Sequence, residues 1–214
     1  MEETTKASVV FRNGKEIVTG EISKGKQVGS LETIGTFGPV LLAMLVGATA
    51  AQSDLTWSRW EQGESGPQAV FRYYAKTQMP LYTVGAEYIA IDDTAVSFQK
   101  GVPFHGEFAI DPKNGAILRL TMQAGLEPRL PLDQSSLMVE YGPVVIGGST
   151  YICPLRSVSI SRVRRIVEIQ EWGEDFKVYA PFQTLLNDMT FAKYRLFRSS
   201  ARLLPGFTPV PNEN

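Results

Sequence analysis

The sequence predicts a mainly β (α+β) protein, a long antiparallel meander curved into an open barrel or half-barrel around one apolar helix. Three observations lead there. From residue 54 onward, short runs rich in aromatic and β-branched residues recur between Gly, Pro or Asp breaks. A single segment, TFGPVLLAMLVGATAA, has helical character, and it is apolar nearly all round. The chain has 214 residues, 43% hydrophobic and 20% charged, enough to bury a core and too apolar for a disordered polypeptide.

The first element is a hairpin. ASVVF and KEIVTG flank RNGK, where Asn13 and Gly14 suit a tight primed turn. After a polar, glycine-rich connection, Thr36 is positioned to cap the helix and Pro39 stands in its first turn, where a missing amide proton does no harm. Phe37, Val40, Leu41, Leu42, Met44, Leu45 and Val46 cover more than one helix face. Because this run is shorter than the roughly 20 residues that span a bilayer, no transmembrane segment is expected, and protein should enclose the helix on most sides.

Strands follow. LTWSRWEQ, QAVFRYYAK and LYTVGAEYIAI come first, then the hairpin GEFAIDPKNGAILRLTM at residues 106–122. In its second arm Ala116, Leu118, Leu120 and Met122 point one way, and Ile117, Arg119 and Thr121 the other. Its turn, DPKNG, has Pro112 after Asp111 and Gly115 where a positive φ is wanted. SLMVEYGPVVIGG, STYICPLRSVSISRV, RRIVEIQEW and NDMTFAKYRLFRSSARLL bring the total to roughly nine or ten strands. No repeat or linker divides the chain, so residues 1–205 read as a single β-rich domain and 206–214 as a C-terminal tail.

A sheet bent over an apolar helix leaves a cavity wherever the helix fails to fill it. Phe37, Leu41, Met44 and Leu45 on the helix, with Trp57, Phe71 and Tyr73 on the sheet, are the candidate ligand-binding residues. The three sheet residues belong to the densest aromatic group, with Trp60, Tyr74, Tyr82 and Tyr88. Core packing and the lining of an apolar ligand site both use such a group.

Motifs for chemistry are scarce. His105 is the sole histidine, too few for a hydrolytic triad or an ordinary metal site. No Gly-x-Ser-x-Gly elbow, His-Glu-x-x-His or phosphate loop occurs, so no catalytic residue, cofactor or metal is expected. Two carboxylates can hydrolyse without histidine, which keeps Glu107, Asp111, Glu140, Asp92 and Asp93 open beside their reading as turn-forming or solvated acids. Cys153 is the only cysteine; it excludes an intrachain disulfide and reads as a small buried hydrophobe. Net charge is −1, and residues 151–214 hold nine Lys and Arg against six Asp and Glu, too small an excess for a nucleic-acid partner. RSVSISRVRR and KYRLFRSSAR therefore read as a solvated sheet face, with an acidic partner surface left open.

TFGPVLLAML, LTWSRWE, AVFRYYA, GEFAIDPKNGAILRLTM, VEYGPVVIGGSTYICPLRSVSIS and LNDMTFAKYRLFRSSARLLP, in that order, resemble a group of uncharacterised exported proteins of acidobacteria, over most of residues 30–205. In strand-rich layout that group is similar to the outer-membrane lipoprotein carrier and sensor fold, an unclosed β-barrel lidded by helices. The resemblance implies a periplasmic or extracellular place, with an export signal and further residues upstream of Met1. MEETTKASVV is itself acidic and polar, unlike a signal, which leaves the cytoplasm as the alternative. The expected function is a non-catalytic, carrier-like binding protein for an apolar ligand such as an acyl chain or a lipidated segment. A structural or accessory subunit of a cell-envelope assembly is the second reading, and a carboxylate-dependent hydrolase the third.

Overall fold

The structure, a computed structural model, describes residues 4, 6–13, 15–19, 33, 35–49, 53–64, 66–75, 82–89, 95–127, 130–164 and 166–196. Met1, Asp92, Asp93 and the tail at 206–214 lie outside the described residues. β1 (Ser8–Arg12) and β2 (Lys15–Thr19) pair in the register expected of a two-residue turn, Arg12 opposite Lys15, with Asn13 at φ 53°.

The helix α1 spans Pro39–Thr49. Pro39 is its first residue, so the preceding Gly38, and not Thr36, holds the cap position; the Leu42 amide donates to the Gly38 carbonyl at 3.4 Å. Thr36 is buried in the turn before it. Packing explains the glycine: a Cβ at Gly38 would lie 2.7 Å from the Phe11 ring of β1.

Among the described residues eleven further strands follow: β3 (Ser53–Gly63), β4 (Gly66–Ala75), β5 (Thr83–Ile89), β6 (Ala95–Gly101), β7 (Phe104–Ile110), β8 (Ile117–Ala124), β9 (Leu132–Ile146), β10 (Ser149–Val163), β11 (Ile166–Glu171), β12 (Glu174–Tyr179) and β13 (Gln183–Thr190). Seven form one antiparallel sheet in the order β13-β10-β9-β8-β7-β4-β3. The sheet is open: β13 and β3 are its edges and do not meet. The other four form a smaller sheet, β12-β11-β5-β6, whose central pair, β11 with β5, is parallel through Val167 and Ile89. The connectivity is thus more than a meander. Two hairpins, β5–β6 and β11–β12, leave the large sheet and pair with each other.

α1 lies against one face of the large sheet. Val40, Ala43, Met44 and Ala48 pack with Tyr73, Ala75, Phe104, Leu120, Met122, Leu137, Val139 and Tyr141. Each large side chain buried there contributes about 1.5–3 kcal/mol. Gly47 allows the close approach, since a Cβ on it would sit 2.7 Å from the Phe104 ring. A second cluster, Val84, Val102, Ala124 and Leu132, joins the two sheets.

Among the described residues, the helix is not enclosed on most sides. Leu42, Leu45 and Val46 are exposed, because a single sheet layer can cover only one side of a cylinder. Cys153 likewise is half-buried instead of buried; partial burial pushes its thiol pKa up.

Candidate functional site

Successive side chains on a strand alternate between faces, and the registers carry that alternation across the whole sheet. Tyr73, Phe104, Leu120, Met122, Leu137 and Val139 face α1. Their neighbours, pointing the other way, form two rows that cross six strands from β3 to β10. Asp54, Tyr74, His105, Gln123, Ser136 and Ile160 make one row; Thr56, Arg72, Glu107, Thr121, Met138 and Val158 make the other. All twelve line a groove of about 760 Å³ on the sheet face opposite the helix. At the usual strand spacing it is roughly 24 Å long.

The groove is chemically graded along its length. Its β3–β7 end is polar and aromatic, where the Tyr74 ring stacks on His105 at 6.2 Å and Asp54 stands beside them. Its β9–β10 end is mainly apolar, with Met138, Val158 and Ile160 beside Ser136. Charge is anchored at the polar end. Arg59 grips Glu107 with both ends of its guanidinium, at 2.7 and 2.8 Å, and also binds Glu61. Arg72 adds a bond to Glu107 at 2.9 Å, and Arg119 reaches Glu61. Hydrogen bonds from Arg59, then Arg72, hold the Glu107 carboxyl down at about 2, and those from Arg119 and Arg59 lower Glu61. A ridge of charged residues runs beside the rows, with Arg119 opposite Glu140 and Glu140 opposite Arg156; Arg156 pairs at 2.7 Å with Asp188, which stands opposite Val158 at the end of the second row.

One irregularity sits in the floor. Between the pairs His105–Gln123 and Phe108–Leu120 the β7–β8 ladder is completed by side chains. The Glu107 amide donates to the Thr121 hydroxyl at 2.9 Å, and the Tyr73 hydroxyl, crossing over from β4, donates to the Thr121 carbonyl at 2.7 Å. Gly106 makes this possible, because a Cβ there would stand 2.0 Å from the Thr121 carbonyl oxygen and 3.0 Å from the Tyr73 hydroxyl. Tyr73 thus keeps its ring in the core and also lines the groove.

The seven residues expected to bind a ligand are divided by the fold. Met44 and Tyr73 are 0% and 2% exposed within the core, and Leu41 packs on it. Phe71 stacks on Phe108 at 5.6 Å. Leu45 is exposed on the helix, and Trp57, 57% exposed, pairs in register with Phe71 on edge strand β3. Phe37 lies apart, against Phe191 and Tyr194 at 5.6 and 6.0 Å, with its amide on Glu16. Of the seven, only Tyr73 lines the groove. Arg72, Gln123, Met138, Val158 and Ile160 were not singled out by the sequence, although the alternation that marks their strands' core residues also marks them.

Of the candidate acids, Glu107 and Glu140 belong to the charged network above, Asp92 and Asp93 lie outside the described residues, and Asp111 serves a turn. Asp111 caps its own turn, accepting from the Lys113 amide at 2.9 Å. His105 is exposed on β7. Among the described residues, no three His, Cys, Asp or Glu gather as a metal site, and no helix is long and apolar enough to cross a membrane. No family model, curated protein or solved structure matches this chain.

Proposed function

We propose that the protein is a non-catalytic binding protein for an amphipathic, largely apolar ligand, such as an acyl chain or lipidated segment, laid across the bare face of the large sheet. The observation that carries this reading is the graded groove. Its 760 Å³ falls within the range of small-molecule sites, and its apolar and polar ends are separated along one axis. The tail of such a ligand lies over Met138, Val158 and Ile160, and its polar end meets Tyr74, His105 and Arg72. Glu107, held ionised by two guanidinium groups, suits a fixed anion and not a proton donor. That weighs against the hydrolase reading. A place in the bacterial envelope belongs to the same proposal and rests on the sequence resemblance.

Displacement of a dansyl-labelled fatty acid by oleate tests it. Val158→Glu, which puts a charge under the tail, is expected to weaken binding by about tenfold or more. Leu42→Glu, on the exposed side of α1, is expected to leave binding unchanged. Binding that survives Val158→Glu, or disappears in Leu42→Glu, overturns the assignment.

A further inference from the structure

The polar end of the groove holds two opposite charges that do not meet. Three guanidinium groups, those of Arg59, Arg72 and Arg119, bond to only two carboxylates, Glu61 and Glu107. Arg59 takes both oxygens of Glu107, so the surplus positive charge falls on Arg72. Arg72 spends its Nε on Glu107; its side chain is 65% exposed, and its two terminal nitrogens bond to no described residue. Asp54 is the counterpart. It is exposed opposite Tyr74, and so lies diagonally from Arg72, roughly 7–8 Å away between the two strands. Among the described residues its carboxylate has no ion pair or hydrogen bond, with Arg72 or any other side chain.

The chemistry of the groove also follows a fixed order. From β10 toward β3, the apolar Val158 and Ile160 give way to the uncharged polar Ser136 and Gln123. Then comes Arg72, and last Asp54, beside the Tyr74 ring. The apolar end is prolonged by Leu186 of β13, opposite Ile160 and exposed.

A head with one charge satisfies only half of the polar end. A carboxylate or phosphate on Arg72 lies beside Asp54, a like charge, and an ammonium on Asp54 and Tyr74 lies beside Arg72. A head with both charges, the anion inward and the cation outward, meets each group with its opposite. We infer that the groove selects a single-chain lipid with a zwitterionic phosphate–ammonium head, of the lysophosphatidylcholine type, its phosphate on Arg72 and its ammonium between Asp54 and the Tyr74 ring. The inference rests on the groove being the binding site, and it deepens that reading by naming the head.

Displacement of the neutral probe N-phenyl-1-naphthylamine tests it, with four lipids that share one myristoyl chain, each held below its micelle concentration. They are lysophosphatidylcholine, lysophosphatidic acid, myristoylcholine and monomyristin. The zwitterion is expected to bind about tenfold or more tighter than each of the other three. Its advantage over lysophosphatidic acid is expected to vanish in Asp54→Asn, and its advantage over myristoylcholine in Arg72→Gln. Each advantage is a ratio taken within one variant, so a loss of folded protein cancels. Four equal affinities, a preference for either singly charged lipid, or ratios that outlast both substitutions overturn the inference. Undiminished binding of monomyristin by Val158→Glu overturns the groove reading and the inference with it. Its loss in that variant, alongside four equal affinities in the unaltered protein, overturns the inference alone.

Discussion

The two faces of the seven-stranded sheet are made by the same strands, one residue out of phase, yet they have been put to different uses. On the helix side, Phe104, Leu120, Met122 and Val139 are closed over by α1 and almost no polar atom is exposed among them. On the other side, the intervening positions hold Arg72, His105, Glu107, Gln123 and Ser136, graded toward Met138, Val158 and Ile160, with nothing laid over them among the described residues. The difference teaches that a single alternating pattern can specify a stable wall and a recognition surface at once. The helix-side core lies in one phase of the alternation, and the residues of the proposed ligand site in the other.

The largest effect that would break this division is energetic. Phe104, 1% exposed, meets Tyr73 and Tyr82 edge-on at 6.2 and 5.9 Å. Phe104→Ala should cost about 3–5 kcal/mol in denaturant unfolding. Val158→Ala, on the bare face, should cost far less, and equal costs would mean that both faces are core.

A smaller effect concerns acid. Glu107 has its folded pKa lowered to about 2, against an ordinary value near 4.5. It therefore contributes stability that is fully present above about 4.5 and is lost as pH falls toward 2. Because the carboxylate retains solvent contact, screening keeps this contribution to about 1 kcal/mol or less. Glu107→Gln should flatten that part of the acid-unfolding curve; an unchanged curve would show that the network on the bare face adds nothing to folding.

The smallest effect sharpens the boundary of the covered face. Leu42→Ser, at an exposed helix position, should shift stability by about 0.5 kcal/mol or less. A larger loss would mean that something covers that side of α1.

Much of this architecture was legible in the sequence, and the limits have physical causes. The Asn13–Gly14 hairpin, the helix at Pro39 and the strands around GEFAIDPKNGAILRLTM follow from turn chemistry and two-residue periodicity. β6 and β12 were hidden, because Gln99 and Lys100 in one, and Glu174, Asp175 and Lys177 in the other, mask the β-branched residues between them. The parallel contact of β11 with β5 brings together residues nearly eighty positions apart, and no local pattern encodes such a pair. Phe37, Leu41, Met44 and Leu45 were grouped because they are neighbours on a helix. The fold gives that helix a wall on one side only, so four neighbours meet three different surroundings. The groove was missed for a related reason: its polar members resemble the ordinary wet side of a strand, and only the register shows that they line up with Met138, Val158 and Ile160.

Tyr73 acts as a rivet through this wall. Its ring is seated beneath the helix and its hydroxyl is fastened in the opposite floor by Thr121. A ligand that tightened that fastening from outside would tighten the ring within, and by linkage a variant that loosened the ring would weaken that ligand to the same degree.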